Sequence, residues 1–181
     1  MTDDSAPTGD GLTLDARLPV RWRTDSPGEL AALRQANEET LRVILSLDDH
    51  HVELPEESTE LAQEFQRLEA KLNLILELMS KVLARQFDLP PPAPLRLGAQ
   101  SLEWEAAASP AAGSRGWLEV YLCPRYPQPL YIPAVIENAT PARTRAVFVE
   151  PGEAVQDLLE TLIFRHHRRQ VAAARRGAGG A

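Results

Sequence analysis

Two periods of apolar residues divide the chain. Residues 1–15 are small, acidic and turn-rich, and they read as a tail. From Arg17 to Arg23 the apolar residues Leu18, Val20 and Trp22 alternate with polar ones, which predicts a strand. Pro19 places that strand at an edge or at a strand start. Ser26-Pro27-Gly28-Glu29 then has the form of a capping box, with Ser26 as N-cap and Pro27 at the first helical position. The helix it predicts carries Leu30, Leu33, Leu41, Ile44 and Leu47 and ends at Asp48-Asp49-His50-His51. A second, longer helix begins between Pro55 and Ser58 and runs to about Gln86, where Phe87 to Pro94 stops it with four prolines.

From Leu95 the period becomes two-fold. Leu95, Leu97, Leu102 and Trp104 predict one strand or two flanking a bend at Gly98, and Ala106 to Gly116 a small-residue loop. Trp117 to Cys123, Leu130 to Glu137 and Arg143 to Glu150 predict three further strands. Pro151-Gly152-Glu153 opens a last helix carrying Val155, Leu158, Leu159, Leu162 and Ile163, and Gly177 to Ala181 cannot sustain structure. The first strand, alone, has no stable existence. Its pairing with the later strands makes the two helices an insertion in one domain; the alternative is a separate helical unit ahead of a β-domain.

The long helix has the most specific pattern. Leu61, Phe65, Leu68, Leu72, Ile75, Met79 and Val82 are spaced four, three, four, three, four, three, an a/d heptad sustained over three heptads. Leu74, Leu76, Leu78 and Leu83 lie on flanking positions, although a helix buried on one side needs only one stripe. Burial of one leucine is worth about 1.5–3 kcal/mol, so four left in water favour association. The expectation is self-association through this helix. The first helix could also lie antiparallel on it, but that helix is polar in its middle, at Asn37 and Thr40, and is the weaker partner.

Composition narrows the class. The chain is 44% hydrophobic, enough to bury a core, and its net charge of -7 argues against a general attraction to nucleic acid. The leucine-rich run from Leu72 to Leu78 is broken by Asn73 and Glu77, so no membrane insertion is expected. The N-terminal residues show no apolar core of a signal peptide, and the single Cys123 excludes an internal disulfide, so a cytoplasmic location is expected.

The strands from Leu95, the closing strand Ala146-Val147-Phe148-Val149 and the helix from Asp157 to Arg168, which ends in Arg-His-His-Arg, resemble a PilZ domain. The helices inserted after Pro19-Val20-Arg21-Trp22 look like its atypical, tetrameric branch. The resemblance covers about residues 16–172. It implies an α+β fold: a PilZ-like six-stranded β-barrel with two inserted helices, the second a long coiled-coil-forming one, and a C-terminal helix. The implied domain spans 16–176, with the first strand in 16–24, the helical insertion in 26–88, the barrel strands in 95–150 and the last helix in 152–176.

PilZ domains typically bind cyclic di-GMP. One element is Arg-x-x-x-Arg before the first strand, whose guanidinium groups grip phosphates and stack on guanine. The other is Asp/Asn-x-Ser-x-x-Gly on the following strands. Arg17 and Arg21 match the first spacing, but Arg21 falls inside the predicted strand. Arg96 to Ser101 occupies the place of the second and lacks it. The resemblance therefore implies the fold and a signalling context, while direct capture of cyclic di-GMP is left in doubt.

Other candidate chemistry is thin. His50-His51 lacks the further ligands that a metal needs, and no metal site or resident cofactor is expected. His166-His167 lie among Arg165, Arg168 and Arg169, either as cations near a helix C-terminus or as a basic surface. Cys123 has no evident activating base, and no phosphate loop or nucleophile elbow occurs. Trp22, Trp104 and Trp117 read as core or interface packing residues, and Pro124-Arg125-Tyr126-Pro127 as a turn that could serve as a docking loop. The expected function is a non-enzymatic PilZ-like adaptor or effector in cyclic di-GMP-linked regulation. It forms a homo-oligomer, suspected to be a tetramer, and takes a protein partner. The alternative is an assembly or docking module with no nucleotide ligand.

Overall fold

The computed structural model describes residues 11–48, 59–86, 89–106, 109–124, 126–140 and 142–178. Six strands form one closed barrel: β1 (Leu14–Arg23), β2 (Pro92–Leu97), β3 (Ser101–Trp104), β4 (Arg115–Val120), β5 (Leu130–Ala139) and β6 (Thr144–Phe148). The order around it is β1-β2-β3-β6-β5-β4, with every pair antiparallel. Three helices accompany it: α1 (Leu30–Asp48), α2 (Thr59–Gln86) and α3 (Glu153–Ala178). This is the α+β fold expected from the sequence, and the bend at Gly98 separates two strands.

Alternation decides which face of each strand meets the core. Along β5, Leu130, Ile132, Ala134 and Ile136 are buried while the residues between them are half-exposed. Leu97, Leu102, Leu118, Val120 and Ala146 fill the same interior from the other strands. Gly116 is required by close approach: a side chain there would strike the Arg23 carbonyl and come within 2.6 Å of the Trp22 indole. Trp22 can lie across β4 only because position 116 carries no side chain.

Pro19 is not on an edge, because a closed barrel has none. β1 instead changes partner there. Leu14 to Pro19 pair with Leu97 to Pro92 of β2, and Val20 to Arg23 pair with Val120 to Trp117 of β4. A residue without an N–H is tolerated where one ladder stops and the next begins. The Pro19 carbonyl still accepts from Tyr121 N (3.1 Å).

The start of α1 also differs from expectation. The Ser26 hydroxyl donates to the Gly28 carbonyl (2.7 Å), a local serine turn rather than a capping box. Leu30 is the first helical residue, and the Glu29 carbonyl accepts from Leu33 N (3.0 Å). Among the described residues α1 packs chiefly on α3 and β5. Its buried Leu41, Ile44 and Leu45 join the barrel core together with Val155, Leu159, Leu162 and Ile163 of α3.

Polar contacts fix α1 in place. Asn37, 2% exposed, donates through Nδ2 to the Tyr131 carbonyl (2.8 Å) and accepts from Tyr131 N (2.9 Å). On that side of β5 the ladder with β6 reaches only as far as Ala134↔Phe148, and the amide of Asn37 continues it. Arg34 Nε donates to the carbonyl of Glu150 (3.0 Å), whose φ of 46° is a left-handed conformation uncommon outside glycine. Arg165 Nη1 donates to the Leu45 carbonyl (3.3 Å), a cation at the C-terminus of α1.

Candidate functional site: the outer face of β1 and the stripe on α2

Arg17 and Arg21 both point outward from β1, since residues four apart share a strand face. They face different neighbours. Arg17 stands opposite Pro94 of β2, and Arg21 opposite Glu119 of β4. Arg17 is exposed, makes no ion pair among the described residues and borders an open cleft of about 540 Å³ with Pro92, Pro94, Glu105 and Ala106.

Arg21 belongs to a different environment. Glu119 is only 3% exposed although it lies on the outside of the barrel. Tyr121 Oη donates to its Oε1 (2.6 Å), and Arg23 Nη1 lies 3.4 Å from its Oε2. Arg23 also pairs with Asp25 through Nη2 (2.7 Å). The Arg23 hydrogen bond holds the Asp25 carboxyl below the usual carboxylate range. Burial first, and then the hydrogen bond to Glu119, push the Tyr121 phenol well above its ordinary value, while the Arg21 charge opposes that shift. Tyr131 is pushed up by burial first and then by the Glu119 charge, with Arg23 and Arg21 opposing. A carboxylate thus already supplies Arg23 with the negative charge that a phosphate would bring.

The turn between β2 and β3 lies elsewhere. Gly98 N donates to the Ser101 carbonyl (2.8 Å), and Arg96 Nε donates to Asp15 Oδ1 (2.8 Å). Leu97, just before the turn, pairs with Leu14 at the start of β1. Arg21 is seven residues farther along, about 23 Å at ~3.3 Å per residue. The segment beside the turn is Gly11 and Leu12, which line a cleft of about 580 Å³ with Gly98, Gln100, Thr161 and Phe164. The structure therefore does not bring the paired arginines and the 96–101 turn to one site.

The stripe on α2 is laid out as the heptad spacing implies. Phe65, Leu68, Leu72, Ile75, Met79 and Val82 are each 52–60% exposed. The side chain of Leu61 lies outside the described residues, as do His50 and His51. Leu74 and Leu78 are exposed as well, so apolar surface is contiguous over three turns. Single exposed leucines are ordinary, but a contiguous patch marks an interaction surface. Among the described residues α2 has no extensive contact with any other element.

Residues 41–176 match the family model for the atypical PilZ domain, cyclic di-GMP receptor. The chain belongs to the atypical PilZ domain family. Among solved structures it is similar to a tetrameric PilZ domain from Xanthomonas campestris, described as a pathogenic protein self-assembled via an unusual helical bundle. That protein is 25% identical and superposes with a TM-score of 0.67 over 89% of this chain and 91% of its own. No curated protein matches. The family resemblance seen in the strands and last helix thus holds, and in this atypical PilZ barrel the inserted α2 is the element left uncovered.

Three features of this PilZ barrel escape the sequence. Asn37 reads as a polar break in a helical stripe, yet it is a backbone-docking residue. Glu119 sits between Leu118 and Val120 in a strand, where alternation marks it as solvent-facing. Its one visible signal is Tyr121, two residues on along the same strand face, while Tyr131 comes beside it only through the pairing of β4 with β5. Gly116 reads as part of a loop, and only the position of Trp22 explains it.

Proposed function

We propose that this chain is a non-enzymatic, oligomeric PilZ adaptor or effector in cyclic di-GMP-linked regulation, acting as one unit over residues 16–176 and assembling through α2. The observation that carries this reading is the unbroken apolar stripe from Phe65 to Val82, exposed in the single chain. The tetrameric relative supports it, being assembled through a helical bundle at 25% identity. Among the described residues no helix is long and apolar enough to cross a membrane, so association with further protein chains is the outlet for that surface.

In this reading the barrel does not capture cyclic di-GMP by itself. Arg21 faces the buried Glu119, Arg96 is held by Asp15, and Arg17 stands alone beside a proline-flanked cleft. The same contacts favour the second reading, a docking module with no nucleotide link. Nucleotide control then enters through a cytoplasmic protein partner or not at all.

Light scattering on the full chain tests the first part: the wild type gives an oligomer, and Leu72→Glu with Ile75→Glu gives a monomer of unchanged far-ultraviolet dichroism. A wild-type monomer at tens of micromolar defeats the proposal. Calorimetric titration with cyclic di-GMP tests the second, with no heat expected. Micromolar binding lost in Arg17→Ala or Arg21→Ala defeats the ligand-free reading.

A further inference from the structure

α3 carries more arginine than its packing uses. Its buried residues, Val155, Leu159, Leu162 and Ile163, all lie at or before position 163. From His167 to Ala172 every residue is exposed, so the helix has left the barrel core. Its acids, Glu153, Asp157 and Glu160, are confined to the packed part, while the stretch from Arg165 to Arg176 holds five arginines, two histidines and no acid. A helix C-terminus favours cations only within its last turn. Arg165, Arg168 and Arg169 stand more than two turns ahead of Ala178, at ~3.6 residues per turn. Arg165 has a task of its own at the Leu45 carbonyl. Arg168 is exposed, makes no ion pair among the described residues, and lies over the ring of Phe164, 6.0 Å from its centroid.

Phe164 links that cation to a concave surface. It is 50% exposed and forms one wall of the cleft of about 580 Å³, with Leu12 (47% exposed), Ala99 and Thr161 around it. Residues 164, 168 and 171 share one helix face, so the cleft continues along α3 past Arg168 to Val171, which is 38% exposed. The face is therefore apolar at Leu12, Phe164 and Val171 and basic at Arg168. It is acidic at Glu160, one turn to the other side of Phe164.

That order of charge defines the occupant. A nucleic-acid backbone or an anionic membrane offers uniform negative charge, which Glu160 and the chain's net charge of -7 oppose. Strand addition is closed off, because a closed barrel has no free edge. An amphipathic helix meets both demands. Its apolar anchors, at i, i+3 or i+4 and i+7, fill the cleft and pack beside Phe164 and Val171, while a carboxylate at one end pairs with Arg168. We propose that the face from the Leu12 cleft to Val171 docks an acidic, amphipathic helix of a partner protein. The proposal rests on the adaptor reading above and gives its partner a chemistry.

Phage display of random peptides against the full chain, followed by fluorescence anisotropy of a labelled selected peptide, tests this surface. The selected sequences are expected to carry Asp or Glu beside apolar residues at helical spacing. Phe164→Ala and Arg168→Glu, both at exposed positions, each weaken that peptide about tenfold or more with unchanged dichroism. Arg42→Glu, the same charge change on an exposed part of α1, leaves binding as it was. Lysine in place of the peptide's acids restores binding to the Arg168→Glu variant. No enrichment, selected peptides without acids, or binding indifferent to both variants overturns the proposal. So does binding that appears only after removal of residues 1–10, because Asp3, Asp4 and Asp10 would then belong to the occupant. Cosedimentation with phosphatidylglycerol vesicles that is lost in Arg168→Glu would replace the partner helix with a membrane surface. Light scattering gives the same mass for all these variants, so failure here leaves assembly through α2 standing, and a monomeric wild type defeats that assembly without touching this surface.

Discussion

The two inserted helices meet opposite fates. α1 has 19 residues, and its Leu41, Ile44 and Leu45 are buried against the barrel and α3. α2 has 28 residues and keeps its apolar stripe in solvent. Polarity of the stripe separates them, not its apolar content. The row on α1 is interrupted by Asn37 and Thr40, both buried, and the Asn37 amide replaces a missing strand on β5. A polar residue within an apolar row demands one partner in one geometry, and a neighbouring part of the same chain supplies it reliably. The a/d row of α2 has no such demand and suits the mirrored row of another copy.

One substitution made in each helix is the sharpest way to break this contrast. Leu41→Ala empties a fully buried position and lowers unfolding free energy by about 3 kcal/mol. Leu72→Ala, on a side chain 60% exposed in the single chain, leaves the stability of dilute, dissociated protein within about 0.5 kcal/mol and weakens assembly instead. Urea unfolding at low concentration and light scattering at high concentration read the two effects. Equal loss of stability from both would mean that α2 packs on its own barrel.

Next in size is Asn37→Ala. It leaves the Tyr131 N–H and carbonyl without their protein partner at the end of the β5 ladder and costs about 2 kcal/mol. Oligomer mass is unchanged, because α1 docks within the chain. Loss of assembly with no change in the urea midpoint would reverse the roles given to the helices.

The barrel was legible because alternation and helical period are properties of neighbouring residues. Leu130 to Ile136 and Leu61 to Val82 announce their elements without knowledge of the rest of the chain. The family resemblance came from the same local signals, the closing strand and the arginine-histidine helix. What was not legible depends on pairing at a distance. Pro19 marks a change of partner between β2 and β4, which no local pattern distinguishes from an edge. Arg17 and Arg21 have a binding-site spacing, yet they border two different strands, and Glu119 beside Arg21 is 96 residues from Arg23, with which it pairs. The capping box failed for a nearer reason. The Ser26 hydroxyl closes on Gly28, two residues away, before the helix begins.

The smallest expected effect tests that outer-face network through pH. Tyr121→Phe removes the donor to Glu119 Oε1 and costs about 1.5 kcal/mol near neutral pH. The phenol's ordinary pKa is 10.0, and burial together with the Glu119 hydrogen bond raises it in the folded state. Above pH 10 the unfolded chain therefore releases this proton while the native chain keeps it. The native state then binds more protons than the unfolded one, and stability falls as pH rises. The contribution is fully present below pH 10 and is lost as pH climbs through the folded-state value. Tyr131 is shifted in the same direction and loses stability over the same range. The variant thus starts less stable at pH 7 but declines with a shallower slope above pH 10, and Tyr131 retains part of that slope. Urea midpoints between pH 7 and pH 11 measure both. An unchanged slope would mean that Tyr121 titrates as a solvated phenol, without the burial and the Glu119 hydrogen bond that hold it in this network.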